Sequence, residues 1–476
     1  MATHPHPDTG ARAPRSAAEL VDLDRRYAFH PFTALADHER EGAVAMMVRG
    51  EGVKLWDANG REYVDAMAGL WCVNVGYGRR ELADAMHAQA LRLPYCHAFS
   101  SLAADAPALL SERLIRMAPG AMSKVFFGNS GSDANDTQAK IVWYYNNVRG
   151  RPAKKKIIAR LRGYHGVTVM SAGMTGLPGL HAGFDLPLPQ IRHVKAPHRL
   201  WEGWGLTDAQ FVAKLVEDLE RTIAQEGADT IGAMIAEPIQ GAGGVIVPPP
   251  GYFAAIQPIL KRHDILLIAD EVICGFGRLG TRFGCDAFGV VPDLITVAKG
   301  LTSAYFPLSG VLVSENVWSV LKEGGAKYGP FGHGYTYSSH PIGAAVALAN
   351  LDLLEREDLI GQAGRRGLHL HRRLREAFDD HPLVGEVRGQ GLIAAVEFVA
   401  RRDPPQAFPA SAKVGARITA AARARGLITR ALPASDTIAF SPPFVISEAE
   451  IDFAVNAARA AVDQVAAELA AEGALP

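Results

Sequence analysis

Four cysteines in 476 residues are too few and too scattered for a disulfide framework. Cys72, Cys96, Cys274 and Cys285 contain no Cys-x-x-Cys pair, and no metal site is expected. An excess of charge of either sign is missing too. Lys plus Arg total 49 against 50 Asp plus Glu, a formal net charge of −1. That balance argues against a basic field over the whole surface, and so against a nucleic-acid partner, although a local patch stays open. No window reaches the roughly 18 uncharged apolar residues of a membrane span. The polar start, Met1 to Ser16, lacks the apolar run of a secretory signal. The expectation is a soluble chain in a reducing, cytosolic setting, with neither membrane nor nucleic acid as partner. What is present is core-forming material: 48% apolar and 21% charged residues. At roughly 100 to 200 residues per domain, the length suggests two or three domains.

No internal repeat or low-complexity tract occurs. The first 30 or so residues have weak periodicity and read as an arm. Val44 to Val48 and Val53 to Trp56 suit short strands, with Asn59-Gly60 as a turn. From Glu81 the spacing of Leu82, Ala85, Met86 and Leu93 is helical. Short apolar runs then alternate with longer amphipathic stretches: 125–127, 157–159, 231–236, 265–269, 294–298 and 311–313. Between two of them, Thr207 to Gly227 carries a helical stripe and opens with a Thr207-x-x-Gln210 capping box. Such alternation implies crossover connections, hence an α/β domain with a mainly parallel sheet covered by helices. Beyond about Ala345 the pattern changes to that of a smaller α+β domain. A helix over 344–356 precedes a strand over 387–398. A hairpin follows, with strands 427–430 and 437–440 around a turn at 433–436. A last helix opens on a Ser447–Glu450 capping box.

Three segments carry candidate chemistry. Gly128-Asn129-Ser130-Gly131-Ser132-Asp133 follows a strand and opens a helix, so its free N–H groups and helix N-terminus suit a phosphate at Ser130, Gly131 and Ser132. An ordinary N-capping turn has the same appearance. The apolar run 265–269 ends in Asp270, at the sheet edge where ligands sit. A carboxylate there needs a cationic partner: Arg278, a metal or a protonated ring nitrogen. The run 294–298 ends in Lys299, where desolvation would lower the amine pKa and allow a Schiff base, unless its head reaches solvent. Anion turn, acid and amine at one sheet edge together meet the needs of pyridoxal 5′-phosphate. Gly275 to Gly280 formally matches G-x-G-x-x-G, but no helical stripe follows directly, so a dinucleotide site is not expected.

Ala236-Glu237-Pro238-Ile239-Gln240-Gly241, Ala269-Asp270-Glu271-Val272-Ile273-Cys274-Gly275 and Ala298-Lys299-Gly300, in that order, resemble the class III pyridoxal-phosphate aminotransferases (ω-aminotransferases). The resemblance runs from about His30 to the last helix. It implies the fold type I architecture: an arm and small-domain segment over 1–70, a large cofactor-binding domain over 71–345 and a C-terminal small domain over 346–476. It implies Lys299 as the lysine that binds the cofactor and shuttles protons, and Asp270 as partner of the pyridine nitrogen, supported by Glu237. Val272 and Tyr164 would face the two sides of the ring, with His165 beside Tyr164 in the cofactor site. Ser130, Gly131 and Ser132 would hold the phosphate. Thr336 would complete that phosphate site from the other subunit, making a homodimer the minimum unit and leaving a tetramer open. Gly69-Leu70-Trp71-Cys72-Val73-Asn74 resembles members that use pyruvate as amino acceptor. Trp71, Phe99 and Tyr164 would then line the substrate pocket, and Arg430 would be a switching arginine for the substrate carboxylate. Trp71 as a core aromatic and Arg430 as a surface residue are the plainer readings. The implied activity moves an amino group from an ω-amino acid or amine to pyruvate. The alternative is an aminomutase or decarboxylase on the same scaffold. The preferred donor is not legible.

Overall fold

The computed structural model describes residues 15–474; Met1 to Pro14, most of the polar start, lie outside the described residues. The arm contains more order than its weak periodicity suggests. A helix spans Ala17–Tyr27, opened by a Ser16–Glu19 capping box, and it buries none of its residues. A second short helix spans Leu35–Glu41.

Seven strands build the central sheet, in the spatial order Met122–Gly128, Ser309–Ser314, Leu294–Val297, Leu266–Asp270, Ile231–Ala236, Lys156–Arg160 and Ile191–Val194. Only Ser309–Ser314 runs against the others, pairing antiparallel with both its neighbours. The sheet is therefore mainly parallel, as the alternation of apolar runs implies. Ile231–Ala236, Leu266–Asp270 and Leu294–Val297 are buried along their whole length, which is why they read as continuous apolar runs rather than alternating ones. Helices cover both faces. One spans Gly131–Val148. Another spans Asp208–Glu226, buries Phe211, Leu215, Leu219 and Ile223, and forms both bonds of the Thr207–Gln210 box.

Two smaller sheets depart from the sequence expectation. The first strand is Met47–Glu51 rather than 44–48, because pairing begins with Met47 opposite Asp57 and leaves Val44 76% exposed. The stretch 387–398 is a hairpin, Val384–Gln390 with Ile393–Phe398, reversed at Gly391 with φ +57°. The expected hairpin over 427–440 is split between sheets. Leu427–Ile428 joins Glu62–Asp65 in parallel, and only Arg430–Ala431 pairs with Thr437–Phe440. The last helix, Glu448–Ala471, opens on its Ser447–Glu450 box and buries Ile451, Val455, Val462 and Leu469. Among the described residues no helix is long and apolar enough to cross a membrane.

Candidate active site

The strands of the parallel part end at one edge, and a cleft opens there. Gly131, Ser132, Asn135, Tyr164, His165, Gly166, Glu237, Asp270, Val272, Ile273 and Lys299 line it. Asp270 is the last residue of its strand, Glu237 directly follows another, and Lys299 lies two residues beyond a third.

Asp270 is 2% exposed and fixed from three sides. Oδ2 accepts from Asn135 Nδ2 at 2.9 Å and lies 2.8 Å from His165 Nδ1, and Oδ1 accepts from the Val272 N–H at 3.1 Å. Arg278 is not its partner. That guanidinium is buried elsewhere, donating to the carbonyls of Leu392 and Pro442 and to Asn74 Oδ1 at 2.8 Å. Behind Asp270 the network continues. Thr296 Oγ1 donates to Asn135 Oδ1 at 2.5 Å, and Gln138 Nε2 donates to Thr296 Oγ1. Sequence reasoning assigned no role to Asn135, Gln138 or Thr296. The available signal was their polarity: Asn135 and Gln138 interrupt the buried face of a helix, and Thr296 interrupts an apolar strand.

Glu237 clamps the loops rather than the sheet. Its carboxylate accepts from the Tyr164 N–H at 3.0 Å and from the Gly241 N–H at 2.9 Å, so the loop bearing Tyr164 is tied to the strand that precedes Glu237. Burial pushes the Glu237 carboxyl above its ordinary range. Lys299 is part-buried, lines the cleft and has a positive φ of 46°. Desolvation pulls its amine below the usual lysine value, although the charges of Asp270 and Glu237 act in the opposite sense. A lowered lysine pKa means more neutral amine at a given pH. Recombination of the apoenzyme with cofactor should therefore have a pH limb centred below the ordinary lysine value of about 10.4. A stopped-flow pH series checks this, and a midpoint at or above that value would contradict it.

The helix start presents Gly131 and Ser132 to the cleft. A side chain on Gly131 would stand 3.1 Å from Val272, and one on Gly166 would stand 2.5 Å from Ser132 Oγ, so both glycines keep open a cradle that a Cβ would fill. Ser132 Oγ accepts from the Val167 N–H at 3.1 Å, which leaves its own proton free to donate. Ser130 does not line the cleft. It is the helix N-cap, in a reciprocal box with Asp133, so the plainer reading of that serine holds too.

Four further expected residues do not line the cleft of their own chain. Trp71 is 2% exposed and packs with Met67, Ile239, Val245 and Ile273, a core aromatic lying behind a cleft residue. Phe99 is 48% exposed. Thr336 accepts from the Tyr95 hydroxyl at 2.7 Å through its carbonyl. Arg430 is half-buried, close enough to Tyr164 for the two to feel each other's charge.

An amine of lowered pKa, a fixed carboxylate and a helix N-terminus with room for an anion converge on one cleft. That donor set fits pyridoxal phosphate, and the two glycines leave the space it needs. The sequence profile described as Aminotransferase class-III matches residues 35–462. The chain belongs to the class III aminotransferases. This aminotransferase is 48% identical over 461 residues to a diaminobutyrate–2-oxoglutarate transaminase of Halomonas elongata, covering 96% of this chain and 98% of that one. It is 43% identical over 454 residues to a putrescine–pyruvate aminotransferase of Pseudomonas aeruginosa, covering 95% and 98%. A crystal structure of the omega transaminase from Pseudomonas jessenii in complex with PMP superposes with TM-score 0.92 at 44% identity, covering 95% of this aminotransferase and 99% of that chain. The enzyme is accordingly a pyridoxal-phosphate transaminase of fold type I. After Gly275 to Gly280 no helix follows directly: a run of turns leads to a five-residue helix at Gly284.

Proposed function

We propose that this aminotransferase moves the amino group of an ω-amino acid or amine to pyruvate, releasing a carbonyl product and alanine by a ping-pong mechanism. The observation that carries the transfer chemistry is the convergence of Lys299 and Asp270 in one cleft. The pyruvate assignment rests on the Gly69 to Asn74 motif and on the likeness to a putrescine–pyruvate aminotransferase. The diaminobutyrate relative favours 2-oxoglutarate as a second reading. Measuring alanine formed from pyruvate and glutamate formed from 2-oxoglutarate, across one panel of amine donors, separates the two. Faster glutamate formation across the panel would overturn the pyruvate reading.

When bound, pyridoxal phosphate supplies an electron sink. Lys299 would tether it, Asp270 would hold its ring nitrogen protonated, and Gly131 and Ser132 would take its phosphate, with Ser130 capping that helix. Val272 and Tyr164 would bracket the ring, with Glu237 fixing the Tyr164 loop and His165 steadying Asp270. Lys299 Nζ would be the base that takes the proton from the donor's amine-bearing carbon and holds it for return. The cycle reverses with the keto acid. Thr336 of a second copy would complete the phosphate site, which makes a homodimer the working unit. The division into 1–70, 71–345 and 346–476 belongs to this reading, with the cleft carried by the middle segment.

Arg430 would grip the carboxylate of pyruvate or alanine and swing aside for an amine without one. Trp71 and Phe99 would shape the donor side. Arg430→Ala should lower kcat/KM for pyruvate by roughly ten- to a hundredfold, the worth of one lost charge-assisted pair. The half-reaction with an uncharged amine should fall much less. Equal losses in both half-reactions would remove the switching role.

A further inference from the structure

A second cavity, of about 610 Å³, lies where the loop after Lys156–Arg160 meets the small sheet that contains Ile393–Phe398 and Arg430–Ala431. Arg162, Trp201, Phe398, Phe408, Lys413 and Ser435 line it, and it shares no lining residue with the cofactor cleft. We propose that this cavity is a second carboxylate-binding site, taking a small organic acid with an aromatic or branched apolar body.

The argument starts from charge. Two basic residues, Arg162 and Lys413, line the cavity against one carboxylate, Asp436. Asp436, on the same wall, accepts from the Gly415 N–H at 2.8 Å and so caps the helix Val414–Arg423. Glu397 is closed off by Arg388 Nη1 at 2.6 Å, His198 Nε2 at 3.0 Å and Trp201 Nε1 at 2.6 Å. The Arg162 guanidinium is left with a long hydrogen bond, 3.4 Å from Nη1 to Ser435 Oγ. Burial already pulls that guanidinium below the ordinary arginine value. A part-buried guanidinium presents several N–H donors, and a carboxylate matches its fork in both charge and geometry.

The aim of Arg162 is built into the backbone. Its φ is +62°, a left-handed conformation that non-glycine residues adopt only at a cost in backbone strain. Its N–H donates to the Gly176 carbonyl at 2.6 Å. Its own carbonyl fits against Gly243 so closely that a Cβ there would stand 1.8 Å away. The strained residue is thus held from both sides, with its side chain turned to the cavity. Lys413, also in the lining, has a positive φ too, +46°. Trp201, Phe398 and Phe408 supply the apolar walls, which is why the ligand is an acid with a hydrocarbon body rather than inorganic phosphate.

Benzoate is the probe, titrated by calorimetry into holoenzyme. The Arg430→Ala background removes binding at the substrate carboxylate site proposed above, and benzamide serves as the neutral control. One benzoate per chain should still bind, with benzamide weaker by roughly tenfold or more. Adding Arg162→Gln should weaken benzoate by roughly ten- to a hundredfold. Ala434→Trp fills the cavity while leaving the guanidinium in place; it should abolish binding, and it decides the matter if Arg162→Gln does not fold. Three results overturn the proposal: no saturable benzoate binding in the Arg430→Ala holoenzyme, equal binding of benzamide, or binding that survives Ala434→Trp. The acceptor assay is run on the wild-type enzyme, so failure of either reading leaves the other standing.

Discussion

Lys299→Ala should leave a folded protein whose turnover falls roughly ten-thousandfold and whose cofactor is no longer fixed to the chain by borohydride. Two functions are lost together. In the proposed mechanism the amine is both the nucleophile that tethers the cofactor and the base that moves the proton, and nothing else that lines the cleft offers an aliphatic amine. The fold should survive because Lys299 sits on a short turn, Lys299–Leu301, whose packing comes from buried Gly300 and Leu301. Circular dichroism and melting check the fold; absorbance after reduction and gel filtration checks the tether. Wild-type turnover in the variant, or cofactor still fixed to it, would remove Lys299 from its role.

Asp270→Asn should lower kcat by roughly a hundred- to a thousandfold, the loss seen when one preorganised electrostatic partner of the reacting centre is removed. The structure adds a second effect. Asn135 Nδ2 and His165 Nδ1 both point at Oδ2, while Oδ1 accepts from the Val272 N–H. An amide offers a single acceptor oxygen. Whichever way it turns, its NH2 faces another donor, and one buried bond becomes a donor–donor contact. The apoenzyme should lose about 1–3 kcal/mol of stability as well. Denaturant melts of the apoenzyme give the second number and steady-state rates the first. A variant with unchanged kcat would sink the role of Asp270, whereas unchanged stability would show only that the network relaxes around the amide.

The two residues with the largest expected effects were legible because each ends a mainly apolar run, a local pattern that needs no tertiary knowledge. Capping boxes at Thr207 and Ser447 were equally local and formed as written. What could not be read was pairing. The stretch 427–430 looks like one arm of a hairpin, yet its halves bond to strands at Glu62–Asp65 and at Thr437–Phe440. The pairing of Arg430 with Ala439 is the near one the hairpin pattern implies; nothing within Leu427–Ile428 records partners as distant as Val64 and Asp65. The same limit applies to the cleft. Asn135 reaches Asp270 across 135 positions of sequence, and Gln138 reaches Thr296 across 158. Single polar residues on buried faces were the trace of that network. Ser130 shows the converse: an N-capping turn is a local pattern, and its hydroxyl accepts from the Asp133 N–H as that pattern implies.

The reversed strand Ser309–Ser314 sits between the strand that leads to the helix Gly131–Val148 and the strand that leads to Lys299. It is also the last of the seven to leave the ribosome. Until it is synthesised, the two halves of the vitamin-binding edge have no backbone ladder joining them. Nascent chains or fragments ending before this segment should therefore be blind to the vitamin, however well their earlier helices have formed.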